Sequence, residues 1–234
     1  MEQNTLLKQQ SNPYRFERKF FVHNIDRAAV ENIILHHPAL FSEIYHERYV
    51  NNIYFDSLEF KNFIDNIDGN MYRTKYRIRW YGDIFTAVEK PVLELKIKKG
   101  LMGDKKSFPL VPFKVDIGLS ASMLKDVIRN SNIDSKIKFN LQGQVPVILN
   151  RYKRKYFQSN DKKFRITVDD EQSYYKINKF NNTFLQRNKD SDNVIIEIKY
   201  DKKYDLEAGE IAGKFPFRIT KSSKYARFVE LLYF

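Results

Sequence analysis

The sequence predicts an α+β fold built on a mainly antiparallel sheet with a few helices laid against it. Three observations carry this. Short segments of alternating polarity, rich in β-branched and aromatic residues, recur from Tyr14 almost to the C-terminus, as half-buried strands require. Helical periodicity is confined to a few capped stretches. The polar side of the alternating segments is filled by Arg, Lys and Glu, with little Ser, Thr or Asn.

In chain order, residues 1–12 offer only Leu6 and Leu7 as an apolar pair, so they are expected to form a flexible tail ahead of a single domain over 13–234. Strands are expected at 14–23, 50–56, 75–81, 92–98, 147–158, 164–170 and 194–200. Asp68-Gly69-Asn70 and Lys99-Gly100 supply turn chemistry between them. Asp26 is placed to cap a helix reaching His36 before Pro38; Ser57 caps a short one to Asp65, and Ser120 another to Asn130. The stretch 222–232 reads as a final helix with Tyr225, Phe228, Val229 and Leu232 on one stripe. No repeat or Pro/Gly/Ser-rich linker divides the chain.

The 234 residues hold 41 Lys plus Arg against 29 Asp plus Glu, a net charge of +12, and no cysteine. Disulfides, thiolate metal sites and cysteine nucleophiles are thereby excluded. With 42 % hydrophobic and 15 % aromatic residues the chain can fill a core, which argues against disorder. No secretory h-region or membrane-spanning run is present, so a cytoplasmic location is expected. The positive excess points to a polyanionic partner: nucleic acid, a phosphate compound or a membrane surface.

Alternate side chains of a strand face opposite ways. Lys75, Arg77 and Arg79 therefore share one side, against Tyr76, Ile78 and Trp80. Glu94, Lys96 and Lys98 oppose Leu93, Leu95 and Ile97; Arg165, Thr167 and Asp169 oppose Ile166 and Val168; Glu197 and Lys199 oppose Ile196 and Ile198. Arg15, Glu17 and Lys19 repeat the pattern near the start, while 151–156 is basic on both faces. A sheet with one solvated face shows such alternation by default. A sheet closed on itself, charged inside and covered by helices outside, accounts for it equally and explains the near absence of neutral polar residues. Such a lumen must be wet, since unpaired charges in a dry interior are prohibitive, and Arg forks suit phosphate oxygens. Glu17, Glu94, Asp169 and Glu197 would then offer oxygen ligands to Mg²⁺ or Mn²⁺.

The remaining singled-out residues have plainer readings. The four histidines show no metal-ligand spacing, and His36 and His37 fall at a predicted helix C-terminus. Trp80 and most other aromatics are expected under the helices, and Asp201-Lys202-Lys203 in a solvated turn. The cluster Arg151, Lys153, Arg154 and Lys155 could be a nucleic-acid patch or a solvated strand.

In order along the chain, Arg15-Phe-Glu-Arg-Lys-Phe-Phe-Val22, Tyr54-Phe-Asp56, Tyr76-Arg-Ile-Arg-Trp-Tyr-Gly82, Leu93-Glu-Leu-Lys96, Asn150-Arg-Tyr-Lys-Arg-Lys-Tyr156, Arg165-Ile-Thr-Val-Asp169, Ile196-Glu-Ile-Lys199 and Ser223-Lys224 together resemble the VTC catalytic domain. That is the polyphosphate polymerase domain of the triphosphate tunnel (CYTH-like) superfamily, as found in stand-alone bacterial proteins. Each motif alone is weak; the ordered set is specific.

The resemblance implies a closed antiparallel barrel of about eight strands, forming a tunnel with a charged interior and helices outside. It implies an enzyme transferring the γ-phosphoryl group of ATP to a growing polyphosphate, with Mn²⁺ or Mg²⁺. By motif position, Lys19, Arg77, Arg79, Lys96, Arg154, Arg165 and Lys224 would hold phosphates, and Tyr152, Ser223, Lys199 and Lys106 would add contacts, with Lys105 an alternative to Lys106. Glu197 would bind the metal, with Glu17 and Glu94 as further candidates. Its partners would be ATP and polyphosphate or triphosphate, with a separate membrane protein conceivable and nucleic acid disfavoured. Hydrolytic relatives in the superfamily carry Glu-x-Glu-x-Lys on the first strand; here the spacing reads Arg15-Phe16-Glu17-Arg18-Lys19. That departure resembles the polymerase branch. A tripolyphosphate or nucleoside triphosphate hydrolase and a non-catalytic polyphosphate-binding module stay open as alternatives.

Overall fold

The computed structural model describes residues 15–100, 102–179, 182–184, 187–220 and 223–234; the expected N-terminal tail lies outside them. In chain order the elements are β1 (Arg15–His23), α1 (Arg27–Leu35), β2 (Ser42–Asp56), α2 (Lys61–Ile67), β3 (Tyr72–Tyr81), β4 (Ala87–Val88), β5 (Val92–Lys99), β6 (Met102–Pro109) and β7 (Phe113–Lys114). They continue with α3 (Ala121–Asn130), α4 (Ser135–Gln142), β8 (Val145–Gln158), β9 (Arg165–Lys176), β10 (Arg187–Asp190), β11 (Asn193–Asp201), α5 (Asp205–Gly213) and α6 (Lys224–Tyr233). All the expected strands and helices are present. Beyond them come β6, β10, the short β4–β7 pair, α4, α5 and the first eight residues of β2.

The helix starts follow local chemistry. Asp26 accepts from the Ala29 amide at 2.8 Å and Ser120 from the Met123 amide at 3.2 Å, as N-caps do. The α2 start departs from expectation. Its cap position is Phe60, in left-handed backbone at φ 55°, while Ser57 reaches forward to accept from the Lys61 amide.

One antiparallel sheet runs β1-β11-β9-β8-β2-β3-β5-β6, with β10 alongside β9. Among the described residues no hydrogen-bonded ladder joins β1 to β6, which corrects the expectation of a barrel closed by its ladder. The two edge strands nonetheless come side by side. Side chains bridge the gap: Lys96 on β5 meets Glu17 on β1 at 2.9 Å. A seam of charged side chains in place of a ladder also lets water reach the inner face, which its charges need.

Outside the sheet lie two apolar layers. One gathers Ile53, Ile78, Trp80, Leu93 and Leu149 beneath Leu124, Val127 and Ile128 of α3 and Leu141 of α4. The other packs Phe20, Ile166, Val168, Ile196 and Ile198 against Val30 and Ile34 of α1 and Ala208 and Ala212 of α5. Each fully buried Ile or Phe contributes about 1.5–3 kcal/mol, so these layers fix which strand face points outward. A third cluster is on the other side. Tyr225, Phe228 and Val229 of α6 pack on Tyr54, Ile148 and Tyr174, whose strand parity is that of the charged residues. The last helix therefore plugs one end of the enclosed space and does not join the outer coat.

Candidate functional site

Strand register sorts the charged side chains into rows across the inner face. Lys75, Lys96 and Lys105 face one another across β3, β5 and β6, with Arg77 beside Glu94 one step along. On the opposite wall, Lys19, Glu197 and Thr167 form a row across β1, β11 and β9, and Glu17, Lys199 and Arg165 the next. Arg154 of β8 stands opposite Asp169 of β9. The cap of α6 adds Ser223 and Lys224: Ser223 accepts from Lys75 at 2.9 Å, and Lys224 meets Asp169 at 2.5 Å.

Each carboxylate is gripped by several cations. Glu94 takes Arg77 at 2.7 Å, Lys105 at 3.1 Å and Arg79 at 3.5 Å. Asp169, wholly buried, takes both arms of Arg154 at 2.5 and 2.6 Å as well as Lys224. Glu197 lies between Lys199 at 2.9 Å and Lys19 at 3.2 Å, with Arg154 at 4.0 Å. Glu17 takes Lys96 at 2.9 Å and Lys19 at 3.3 Å. Desolvation would raise the pKa of Glu17, but Lys19 and Lys96 outweigh it and hold the carboxyl down at about 2. Glu94, Asp169 and Glu197 are likewise held ionised, burial being overcome by Arg77 and Arg79, by Arg154 and Lys224, and by Lys19 and Lys199 respectively.

Cations still exceed carboxylates, and the surplus shows at Lys75. Burial, then repulsion from Arg73, Lys96 and Lys19, depresses its ammonium well below the ordinary lysine range. Among the described residues it donates only to neutral groups, Asn66 Oδ1 at 2.7 Å and Ser223 Oγ. Lys199 is lowered as well, burial outweighing Glu197. Neutral polar groups hold the forks in place: Arg79 donates to Asn52 at 2.8 Å and to the Tyr152 hydroxyl at 3.1 Å, and Arg77 to the Tyr54 hydroxyl at 3.3 Å. Although burial pushes the Tyr54 phenol up, Arg77 and Arg79 bring it below its usual value. A face with this surplus attracts an anion carrying several charges.

The structure places Lys19, Arg77, Arg79, Lys96, Tyr152, Arg154, Arg165, Lys199, Ser223 and Lys224 on or at this face. Lys106 is the exception. It pairs with Leu95 in the β5–β6 register and so points outward, whereas Lys105 points inward and reaches Glu94. The three carboxylates expected for a metal do not converge either: Glu17 and Glu197 share Lys19, while Glu94 sits with Arg77 on the facing wall. Among the described residues no group of three His, Asp or Glu could hold a metal ion. Single carboxylates do suit a divalent ion that arrives with phosphate oxygens as its other ligands.

Lys75 was visible in the alternation without a site role, and Asp169 only as a candidate metal ligand; burial and α6 instead make Lys75 a surplus cation and Asp169 the partner of Arg154 and Lys224. Asn52 gave no signal, and Tyr54 and Asn150 entered only as members of the Tyr54-Phe-Asp56 and Asn150–Tyr156 motifs, without a role; Asn52 donates to Asn150 at 2.9 Å inside the wall. His36 and His37 are structural, hydrogen-bonded to the carbonyls of Asn32 and Ile211. Trp80 lies under the helices as expected, its indole donating to the Asp83 carbonyl.

Comparisons with known proteins agree with this geometry. No curated protein matches the sequence. Among solved structures, a putative adenylate cyclase from Vibrio parahaemolyticus is similar with a TM-score of 0.52 at 10 % identity, covering 92 % of this chain and 97 % of that one. One from Bacillus halodurans gives 0.52 at 12 % identity, covering 94 % and 98 %. A putative adenylyl cyclase from Hippeastrum, described as having a dominant triphosphatase activity, gives 0.50 at 14 % identity, covering 92 % and 96 %. Identities this low speak for the fold alone, a triphosphate-tunnel-like one. The VTC domain profile matches residues 14–233, nearly the whole chain, and the protein therefore belongs to the VTC domain family.

Proposed function

We propose that this protein is a polyphosphate polymerase that transfers the γ-phosphoryl group of ATP to the end of a polyphosphate chain held along the cationic inner face. The observation that carries the reading is the surplus of Arg and Lys over carboxylates on one enclosed wall, with α6 setting Lys224 at its closed end. Phosphoryl transfer asks little covalent chemistry of the protein; donor and acceptor must be held in line and their charge neutralised. Arg77 and Arg79 on one wall and Arg154, Arg165 and Lys199 on the other can grip phosphates from two sides. Lys224 adds its charge where the first amides of α6 also favour an anion.

Arg154 and Lys224 are held by Asp169 in the absence of substrate, and Arg77 by Glu94. The carboxylates thus act as placeholders that keep each fork oriented before a phosphate arrives. Glu197 would be the ligand for a divalent ion delivered with the nucleotide, and Mn²⁺ or Mg²⁺ there would neutralise charge on the transferring group. Glu17 lacks the acidic neighbour two residues earlier that marks hydrolytic relatives, since Arg15 stands there. This favours transfer over hydrolysis as the reading.

The test is turnover of purified protein with ATP and Mn²⁺. Long-chain polyphosphate formed with stoichiometric ADP supports the proposal. Orthophosphate without chain growth would establish the hydrolase in its place, and tight polyphosphate binding without nucleotide consumption would establish a binding module.

A further inference from the structure

The outer face of β8 carries three cations, Arg151, Lys153 and Lys155, and they differ in how they are balanced. Lys153 lies 2.8 Å from Glu47, and Lys155 lies 2.7 Å from Glu31 and 3.1 Å from Glu43. Arg151 forms no ion pair among the described residues. Its guanidinium lies over the Tyr49 ring at 3.6 Å from the centroid, and its Nε is buried without a hydrogen-bond partner. Leaving such a donor unpaired is expensive, so the position calls for an acceptor.

The sheet supplies the rest of a site beside it. Arg151, Ser173 and Lys189 form one row across β8, β9 and β10, and Arg187 stands two residues from Lys189 on the same side. Together with Ser191 they line a cleft of about 210 Å³. The acids at its border already have partners, Glu171 lying 3.5 Å from Lys153. Glu171 accepts from the Tyr49 hydroxyl at 2.7 Å, and Asp190 is paired with Arg227 at 3.0 Å and accepts from Asn193.

We infer that this outer cleft is a second binding site, for an inorganic oligophosphate, on the far side of the sheet from the tunnel. Three cations and the Ser173 hydroxyl match an anion with several charges and many acceptor oxygens, while the Ser191 hydroxyl donates to Asp192 at 2.9 Å. Arg151 already lies against the Tyr49 ring, so a base would have to compete with the guanidinium for that face, which favours an inorganic chain over a nucleotide. The site is built from residues outside the tunnel and stands or falls independently of the polymerase reading.

The test is calorimetric titration of the full chain with inorganic triphosphate at low salt. The native protein should show two binding events. The double change Arg77→Ala with Lys224→Ala should remove the tunnel event and keep the other. Arg151→Gln with Lys189→Gln should weaken that remaining event at least about tenfold and leave the tunnel event unchanged. Should Arg151→Gln disturb folding, the exposed pair Arg187→Gln and Lys189→Gln gives the same readout. A single event in the native protein that the cleft variants leave intact would overturn the inference, as would displacement of cleft-bound triphosphate by adenosine. If the tunnel reading alone is wrong, the tunnel event is missing and the cleft event persists.

Discussion

Replacing Asp169 by Asn separates the two tasks assigned to the inner wall. Asp169 is wholly buried and neutralises Arg154 and Lys224, themselves nearly buried. Without its charge, two cations are left uncompensated in a confined space. Breaking a buried pair in this way costs about 3–5 kcal/mol. In a domain of this size each kcal/mol moves the melting temperature by roughly 2–4 °C, so a fall of about 6–20 °C is expected. Ligand should then do more for the variant than for the parent. A phosphate no longer competes with the carboxylate for Arg154 and Lys224, and it supplies the missing negative charge. Triphosphate at 100 times its dissociation constant stabilises by about 2.7 kcal/mol, and a lower constant in the variant enlarges the gain at fixed concentration.

The assay for this prediction is a thermal melt with and without triphosphate. The pH dependence follows from the same pairing. The folded-state pKa of Asp169 is depressed, so its contribution is complete above the unfolded value near 4 and is lost as pH falls through the folded value. The difference between parent and variant should be flat above about pH 5 and shrink in acid. A variant that melts like the parent, or gains no more from triphosphate, would refute the account of Asp169 as a placeholder.

Other residues give sharp expectations. Arg165 is half-buried on the inner face and makes no ion pair among the described residues; Arg165→Ala should leave the melt within about 0.5 kcal/mol of the parent while abolishing turnover, and full activity would remove it from the site. Glu197→Gln should abolish metal-dependent turnover, and Mn²⁺ should no longer strengthen triphosphate binding measured by calorimetry; a metal effect equal to the parent's would exclude Glu197 as a ligand. Lys75 has its ammonium destabilised by burial and by neighbouring cations, so Lys75→Met should raise the melting temperature of the ligand-free protein near neutral pH and weaken triphosphate binding roughly tenfold. A lower melting temperature would show that its bonds to Ser223 and Asn66 outweigh the repulsion.

What escaped the sequence did so for physical reasons. In β6 the run Gly103-Asp104-Lys105-Lys106-Ser107 has no apolar alternation, and its strand conformation is held by the ladder with β5. β10 (Arg187–Asp190) contains no apolar residue at all and exists by pairing with β9. The first half of β2 is exposed and charged, and it is carried by β8 across two register shifts. Asp201-Lys202-Lys203, expected in a solvated turn, leads through a 3₁₀ turn into α5, whose Asp205 holds Arg18 at 3.0 Å. None of these signals is local.

Side-chain alternation with a period of two is a property of the extended backbone itself, so the grouping of Arg77 with Arg79, of Glu94 with Lys96 and of Glu197 with Lys199 was determined by sequence alone. The caps at Asp26 and Ser120 were determined equally locally, because a short polar side chain satisfies amides within its own turn. Which lysine of the 105–106 pair faces inward was decided by strand register, which depends on a partner strand. The seam of side chains between the sheet edges and the burial of α6 against the charged face were likewise decided only in three dimensions. There the apolar stripe of the last helix found its complement in Tyr54, Ile148 and Tyr174, residues far apart in the chain that folding brings onto one wall.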